Sequence, residues 1–292
     1  MSMTHAFFGI GCLLIAIPTL AAPQLPALND PATGVSLPGK FTWFDLATPA
    51  MADQKAFYGS VFGWRFVSQG RSDDDYTLIL NDGELIGGMF SYKPSEDVAD
   101  GAVWVSLISV ENPDKTAQIV KANGGSVEVE PSQVSQRGRH ALFRDPAGAL
   151  FGVLLSDSGD PVDVEVAIGG FFWVDLFARD VEKMTTFYRK LAPYEVKTQA
   201  ITENISRTVF RAHDLARAGI VPVDEEANRS AWIPYVRVED VAATLEKVIE
   251  GGGFAIVPPD ERLRDGNVAV FVDPNGGVTG IVKWDYDAEA GK

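Results

Sequence analysis

Phe41-Thr42-Trp43-Phe44-Asp45-Leu46 occurs a second time in this chain in closely related form, as Phe171-Phe172-Trp173-Val174-Asp175-Leu176. Each copy is followed at the same distance by a Phe-Tyr pair, Phe57-Tyr58 in the first half and Phe187-Tyr188 in the second. Collinear matches of this kind are the signature of internal repetition. We therefore expect two related halves.

A third match closes each half and indicates a tight turn. Asp145-Pro146-Ala147-Gly148 in the first half corresponds to Asp273-Pro274-Asn275-Gly276 in the second. Proline presets φ and glycine accepts positive φ, so each tetrapeptide is suited to join two antiparallel strands.

Within each half, one pattern of strands and helix occurs twice. In the first half a strand-like run at 41–46 precedes a helical pattern at 50–62, and Gly63 follows at a position that ends helices. Three more strand-like runs come next, and the β-α-β-β-β order restarts three times along the chain. The sequence therefore predicts an α+β fold of four βαβββ modules, arranged in two domains at 40–158 and 166–286.

The composition excludes several classes of partner. Hydrophobic residues make up 46% of the chain and charged residues 22%, which is typical of a globular protein. The formal net charge of −15 repels nucleic acids and anionic membrane surfaces, so we expect neither as a partner.

The N-terminal segment is typical of a secretory signal. Residues 6–20 are almost wholly apolar and small residues follow from Ala21, although no Lys or Arg precedes the run. We predict a signal peptide at 1–21, a Pro-rich linker at 22–39, and a periplasmic or secreted protein without stable membrane insertion; an uncleaved anchor is the alternative. Cys12 is the only cysteine, so the mature chain would form neither a disulfide nor a thiolate metal site.

The four modules, the Phe-Tyr pair in the helix and the closing Asp-Pro-x-Gly turn resemble the vicinal-oxygen-chelate superfamily, which includes glyoxalase I, bleomycin-resistance proteins and extradiol dioxygenases. The resemblance covers most of the chain, from Lys40 to Tyr286. It implies that the two modules of each half close a cup-shaped mixed sheet around a small ligand. It also implies that active members hold a divalent metal there on His, Gln or Glu side chains.

The positions at which the resemblance places metal ligands are filled by residues that cannot bind such an ion. They lie on the first strand of each half, on the first strand of its second module, and four residues beyond the turn Gly: Trp43, Trp173, Val105, Ile233, Gly152 and Gly280. Divalent ions need oxygen, imidazole or thiolate ligands, which none of these side chains supplies. Beyond the N-terminal segment only His140 and His213 remain, and we expect both at hairpin surfaces. We therefore predict no metal and no other cofactor.

Two Trp-x-Asp pairs are the main candidates for a binding site. Trp43 and Asp45 share one face of their strand because side chains alternate, and so do Trp173 and Asp175. Each cup would then gain a stacking surface and a carboxylate whose pKa is raised by burial, as suits a general base. The structural alternative is that each Trp plugs the vacated space and each Asp caps the following helix. Arg144, which the second half lacks, is a further candidate for an anionic ligand.

Three functions follow from this pattern. The first is metal-independent binding of a small apolar or aromatic molecule by an exported protein. The second is a lyase, isomerase or dioxygenase with a non-standard active site, which needs either a metal held by unexpected residues or metal-free acid–base work by Asp45 or Asp175. The third is a structural or assembly role. Four modules can complete both cups within one chain, so a monomer or a homodimer is expected.

Overall fold

The computed structural model describes residues 25–70, 76–93, 101–224 and 230–286. The first domain contains β1 (Phe41–Thr48), α1 (Met51–Phe62), β2 (Arg65–Ser68), β3 (Thr77–Asn81), β4 (Glu84–Ser91), β5 (Val103–Ser109), α2 (Pro113–Ala122), β6 (Ser126–Val134), β7 (Gly138–Arg144) and β8 (Leu150–Ser156). The second contains β9 (Phe171–Ala178), α3 (Val181–Tyr188), β10 (Glu195–Ala200), β11 (Ser206–Ala212), β12 (Leu215–Pro222), β13 (Ala231–Arg237), α4 (Val241–Glu250), β14 (Phe254–Val257), β15 (Val268–Val272) and β16 (Val278–Val282), with a short 3-10 turn at Arg264–Gly266. The predicted α+β fold of four βαβββ modules is confirmed.

Each domain is built on one eight-stranded mixed sheet. The order is β2-β3-β4-β1-β5-β8-β7-β6 in the first domain and β10-β11-β12-β9-β13-β16-β15-β14 in the second. The first strands of the two modules, β1 and β5, pair antiparallel at the centre, and each also pairs in parallel with the last strand of its own module. Each sheet therefore joins two modules side by side.

Local sequence signals explain where the helices begin and end. Helix α1 ends at Gly63, which adopts the left-handed conformation with φ of 75°, as its position predicts. Helix α2 begins after Asn112, whose side chain accepts a hydrogen bond from the backbone N–H of Lys115, and Asp180 and Asp240 cap α3 and α4 in the same way.

The two faces of each sheet carry different apolar clusters. Phe44 and Leu46 of β1 belong to one large cluster that includes the helices and runs through both domains. The opposite face of each sheet carries a smaller cluster of its own. We call the first cup the face formed by Trp43, Leu78, Val105, Leu107 and Leu154, and the second cup the face formed by Ile233, Tyr235, Val270 and Val282. The alternation of side chains along the strands therefore separates the core from the candidate site.

A reciprocal pair of hydrogen bonds connects the two domains. The hydroxyl of Tyr58 in α1 donates to Asp273 Oδ2 at 2.9 Å, and the hydroxyl of Tyr188 in α3 donates to Asp145 Oδ2 at 3.0 Å. The other oxygen of each Asp accepts two backbone N–H groups of its own Asp-Pro-x-Gly turn. The two repeated motifs thus meet each other across the domain interface.

The segment that the sequence predicts to be a linker is packed against the first domain from its first described residue, Leu25. Asn29 donates from its backbone N to Ser158 Oγ at 3.0 Å and from its side chain to the Gly159 carbonyl at 2.7 Å. Farther along, the backbone N–H of Leu37 donates to Asp160 Oδ2 at 2.6 Å. The predicted signal peptide and its cleavage site lie outside the described residues. Among the helices of the described chain, none has the length and apolar character needed to cross a bilayer.

Candidate functional site: two Trp-Asp cups

Trp43 and Asp45 meet inside the first cup. The indole Nε1 of Trp43 donates to Asp45 Oδ1 at 2.9 Å, and the hydroxyl of Tyr76 donates to the same oxygen at 2.6 Å. Asp45 does not cap α1, since the residue at the cap position is Ala50 and no side chain accepts there. The helix-cap alternative is therefore wrong for Asp45, and the carboxylate belongs to the cup.

Arg137 completes a group of four side chains in the first cup. Its guanidinium carbon lies 3.8 Å from the centre of the Trp43 ring, and the whole residue is 2% exposed. Burial raises the pKa of Asp45, while hydrogen bonds from Tyr76 and Trp43 and the charge of Arg137 oppose that rise. The cup thus holds a cation and a carboxyl group in a largely apolar setting.

His140 lies on the cup face of β7, opposite Leu154 of the first cup. Burial, together with the smaller effect of the nearby charge of Arg137, lowers its pKa to about 4. The expectation of a surface hairpin holds only in part for His140, because it lies in a hairpin strand but is half-buried on the cup face. The expectation is right for His213, which is exposed at the turn between β11 and β12.

The second cup contains a comparable group. The indole Nε1 of Trp173 donates to Asp175 Oδ1 at 2.7 Å, and Nη1 of Arg207 lies 3.5 Å from Asp175 Oδ2. The guanidinium of Arg207 lies over the Trp173 ring at 4.9 Å, and the hydroxyl of Tyr235 also bonds to Asp175. Burial raises the pKa of Asp175, and Arg207, Trp173 and Tyr235 oppose the rise.

The two cups therefore use the same four residue types, Trp, Asp, Tyr and Arg, but they take two of them from different strands. Tyr76 and Arg207 occupy equivalent positions in the two domains. Tyr76 lies two residues before Leu78, the strand partner of Gly88, and Arg207 lies two residues before Val209, the strand partner of Gly219. Tyr235 lies opposite Trp173, where the first domain has Leu107 opposite Trp43. Comparing the two halves of the sequence cannot reveal this equivalence, because the Tyr and Arg positions do not match.

A glycine beside each Asp makes room for its carboxylate. Gly88 is the strand partner of Asp45, and Gly219 is the partner of Asp175. A Cβ atom would lie 2.4 Å from Asp45 Oδ1 at the first position and 2.2 Å from Asp175 Oδ1 at the second. A glycine at the same position of both halves is the sequence signal that could have indicated a space reserved for each Asp side chain.

The strand register corrects one of the three predicted metal-ligand positions. Trp43 pairs with Leu107, and Leu107 pairs with Gly152; the second domain aligns Trp173, Tyr235 and Gly280 in the same way. The middle positions are therefore Leu107 and Tyr235 rather than Val105 and Ile233. A β-bulge between Phe41 and Trp43 shifts the register in the first domain.

The aligned positions do not fit the divalent metal that the resemblance implies. A Cβ atom on Gly152 would lie 2.7 Å from Cγ of Leu107, and one on Gly280 would lie 2.2 Å from Cδ1 of Tyr235. A carboxylate side chain therefore has no room at either position. In the described part of the chain, no three His, Cys, Asp or Glu residues form a group that could hold a metal ion.

Arg144 lies apart from the four-residue group of the first cup. It is at the opposite end of β7 from Arg137, and its Nη1 donates to the Gly148 carbonyl at 3.0 Å while its Nε lies 3.5 Å from Glu128 Oε1. The structure therefore places Arg144 in the support of the Asp-Pro-x-Gly turn and does not bring it together with Trp43 and Asp45.

Comparisons with known proteins agree with this architecture. Residues 40–153 match the family model for the glyoxalase/bleomycin resistance protein/dioxygenase superfamily. The anthracycline biosynthesis protein DauV of Streptomyces sp. strain C5 is 29% identical over 262 residues, which cover 84% of this chain and 94% of that protein.

Solved structures show the same fold at low sequence identity. The Mn(II)-bound glyoxalase from Novosphingobium aromaticivorans has a TM-score of 0.58 at 19% identity, covering 85% of this chain and 83% of that one. The 2,2',3-trihydroxybiphenyl 1,2-dioxygenase from Sphingomonas wittichii strain RW1 has a TM-score of 0.56 at 11% identity, covering 85% and 91%. The family match places the first domain, at residues 40–153, in the glyoxalase/bleomycin resistance protein/dioxygenase superfamily, and the second domain repeats the same modules and strand order.

Proposed function

We propose that this protein binds a small planar aromatic molecule in the second cup without the help of a metal ion. The observation that carries the proposal is the position of Trp173. Its indole is partly exposed on the cup face, with Arg207 above the ring and the buried Asp175 at its N–H. The corresponding Trp43 of the first cup is only 3% exposed.

The lining of the second cup suits an aromatic ligand. Phe172 and Phe177 are partly exposed beside Trp173 in the same cluster, so several ring faces border the cup. Aromatic side chains bind flat apolar ligands through stacking and burial of area, and a few polar groups fix the orientation. The name of the relative DauV places that protein in anthracycline biosynthesis, which supports a ligand with fused aromatic rings.

The chemistry of the cup favours binding over catalysis. Asp175 has the raised pKa of a candidate general base, but its oxygens already face Trp173, Tyr235 and Arg207. A base must be within reach of the proton that it takes from a substrate. Asp175 thus acts in our proposal as the anchor that orients the indole and the guanidinium.

We further propose that the protein is exported and acts as a monomer or a homodimer. Export rests on the apolar run at 6–20 and the small residues after it. Metal independence rests on the donor-free ligand positions and on the lack of room at Gly152 and Gly280.

The binding proposal is tested by calorimetric titration of chelator-dialysed protein with 1,8-dihydroxyanthraquinone. Trp173→Ala should weaken binding by at least about tenfold, equivalent to about 1.4 kcal/mol, since it removes the stacking surface. Trp43→Ala is the matched control and should leave the affinity within about twofold, because Trp43 is covered. Equal losses in both variants, or stoichiometric Fe, Mn, Ni or Zn that survives dialysis and is needed for binding, would overturn the proposal.

A second candidate function is acid–base catalysis, which the buried, pKa-raised carboxyl of Asp175 favours. A lyase, isomerase or dioxygenase-type reaction of this kind should be abolished by Asp175→Asn and retained by Asp163→Asn, which alters a carboxylate outside the cup. Turnover that survives Asp175→Asn removes Asp175 from any catalytic role.

A further inference from the structure

We infer that the first cup is a separate site for an aromatic carboxylate, and that the chain's own residues 25–28 occupy it as a displaceable stand-in for that ligand. We call residues 25–28 the N-terminal plug. The inference extends the proposed function, since it assumes that the cups bind small molecules, but it concerns different residues and a different ligand class.

The N-terminal plug lies in the first cup as a ligand would. Leu25 is 7% exposed, and Leu28 packs against the apolar residues of the first cup. The carbonyl oxygen of Pro26 accepts a hydrogen bond of 3.0 Å from Nε of Arg137. The plug therefore presents the side chain of Leu28 and one acceptor oxygen to the cup, next to the buried Leu25.

Arg137 is only half satisfied by this contact. Its Nη2 is buried and has no hydrogen-bond partner among the described residues. Nε and Nη2 form one edge of the guanidinium fork, which matches the two oxygens of a carboxylate. A single carbonyl oxygen fills one half of that edge, and an unpaired buried donor costs about 1–3 kcal/mol.

The neighbouring Arg139 shows the same edge fully paired. Its Nε lies 2.6 Å from Asp114 Oδ2 and its Nη2 lies 2.7 Å from Asp114 Oδ1. The two arginines are two residues apart in the sequence, yet only Arg139 has a carboxylate partner on its Nε–Nη2 edge. The comparison indicates that the Nε–Nη2 edge of Arg137 lacks a carboxylate partner, although the charge of Asp45 acts on the same guanidinium, and the Trp43 ring stacked against it indicates that the missing ligand is planar.

The plug can leave the cup without disturbing its own anchor. The hydrogen bonds that hold the N-terminal segment to the first domain begin at Asn29 and continue through Thr33 to Ser158 and Asp160. Residues 25–28 precede these bonds, so their displacement breaks the contact with Arg137 and the burial of the two leucines. The plug is part of the chain and therefore competes for the cup at a high effective concentration. Only a free ligand that binds the cup tightly enough to overcome this competition can displace it.

The arginine that faces the Asp of the second cup is paired within the chain. Arg207 is paired with Asp175 of its own cup, and Asp265 lies at the position that corresponds to Arg137. The carboxylate that we propose as a ligand for Arg137 is therefore supplied to Arg207 by the protein itself.

The test uses 2-naphthoate as the probe and 2-naphthamide as its uncharged analogue, titrated calorimetrically into the full chain carrying Trp173→Ala. Adding Leu25→Ser and Leu28→Ser weakens the plug and should raise the affinity for 2-naphthoate by at least about tenfold, with a smaller gain for the amide. Arg137→Met should abolish the gain, whereas Arg139→Met should preserve it.

A second measurement needs no destabilised variant. Saturating 2-naphthoate should increase hydrogen exchange of the 25–28 segment in the otherwise unaltered chain, and the increase should vanish with Arg137→Met. Unchanged affinity in the leucine variant, equal gains for acid and amide, or protection of 25–28 on adding the acid would each overturn the inference. These results are independent of anthraquinone binding at Trp173, so failure of either proposal is distinguishable from failure of the other.

Discussion

The hydroxyl of Tyr58 donates a 2.9 Å hydrogen bond to Oδ2 of Asp273, which fixes a helix of the first domain to the closing turn of the second. Tyr188 makes the reciprocal bond to Asp145. All four groups are buried, and Trp104 and Trp232 donate their indole N–H groups to the two Tyr hydroxyls. The Phe-Tyr and Asp-Pro-x-Gly motifs of the two domains therefore meet at one shared interface.

Replacing Tyr58 with Phe should destabilise the whole chain. The variant keeps the ring and loses a buried hydrogen bond to a carboxylate, so we expect the free energy of unfolding to fall by about 2 kcal/mol. Tyr188→Phe should have a similar effect because its hydroxyl makes the reciprocal bond to Asp145. Urea unfolding followed by tryptophan fluorescence measures both.

Tyr92→Phe is the matched control, since its hydroxyl bonds to the Gly101 carbonyl within the first domain. It should cost less, because a bond between neutral groups contributes about 1 kcal/mol. If Tyr58→Phe and Tyr188→Phe cost no more than Tyr92→Phe, the reciprocal bonds do not stabilise the interface.

Gly88→Ala and Gly219→Ala should destabilise the protein, because each places a methyl group in the space that the Asp side chain of its cup occupies. A Cβ on Gly88 would lie 1.9 Å from the Tyr76 hydroxyl, and one on Gly219 would lie 2.2 Å from Asp175 Oδ1. We expect each variant to lose about 2 kcal/mol or more of stability, since overpacking of a tight site typically costs 1–3 kcal/mol. Thermal unfolding monitored by circular dichroism gives the shift.

Gly59→Ala provides the control for that pair. Gly59 lies inside α1, and its added Cβ would make ordinary contacts at 3.5 Å or more. Alanine favours a helix interior over glycine by about 0.5–1 kcal/mol, so this variant should be neutral or more stable. Equal destabilisation by all three substitutions would count against a specific role for the cup glycines.

His140 should make stability depend on pH between about 4 and 6.5. Its pKa is about 4 in the folded chain, below the ordinary value of 6.5 for histidine, so the unfolded chain binds the proton more readily. This contribution is present above pH 6.5 and is lost as pH falls towards 4. One pKa unit corresponds to about 1.4 kcal/mol, so the loss amounts to a few kcal/mol at most.

His140→Gln should remove that part of the pH dependence. The pKa itself is measured by NMR titration of the imidazole protons, with His213→Gln used to assign the resonances. A resonance of His140 that titrates near 6.5 in the folded protein would contradict the buried position on the cup face.

Asp163 should hold the two domains together at neutral pH. Partial burial alone would raise its pKa, but hydrogen bonds from Arg217 and Lys40 lower it to about 2. Because the folded pKa lies below the ordinary value of 3.8 for aspartate, the contribution is present above about pH 4 and is lost as pH falls towards 2. Asp163→Asn should cost about 1 kcal/mol at pH 7 after allowance for solvent screening.

Asp260→Asn is the comparison for Asp163. The pKa of Asp260 is also lowered to about 2, by Arg262 two residues away, but that pair is exposed and local. A local pair persists in the unfolded chain, so its loss should shift the urea midpoint less than the loss of Asp163 does. The reverse order would show that the contact of Asp163 with Lys40 and Arg217 adds nothing to folding.

Much of this fold could be predicted from periodic features of the sequence. The repeats, the helix-ending Gly63 and the shared face of Trp43 and Asp45 all depend on spacing within one segment, and each is found as expected. The closing turns behave likewise, since the Asp side chain bonds to its own turn.

The remaining features depend on which residues become neighbours across strands. Tyr76 and Arg137 reach Asp45 and Trp43 from positions just before β3 and β7, and the antiparallel register of β1 with β5 decides that Leu107 rather than Val105 lies opposite Trp43. The position of the plug depends on contacts between residues more than a hundred positions apart. Spacing along the chain carries no information on any of these relationships.

The reciprocal interface has a consequence for how the chain can be divided. Each half carries both partners of the bond, because the first contains Tyr58 and Asp145 and the second contains Tyr188 and Asp273. Two copies of one half, related by a twofold axis, can therefore form the same pair of bonds between identical subunits. A single half therefore carries a surface that is complementary to a second copy of itself. The arrangement of the two domains in this chain corresponds to a symmetric dimer whose two subunits are joined in one polypeptide.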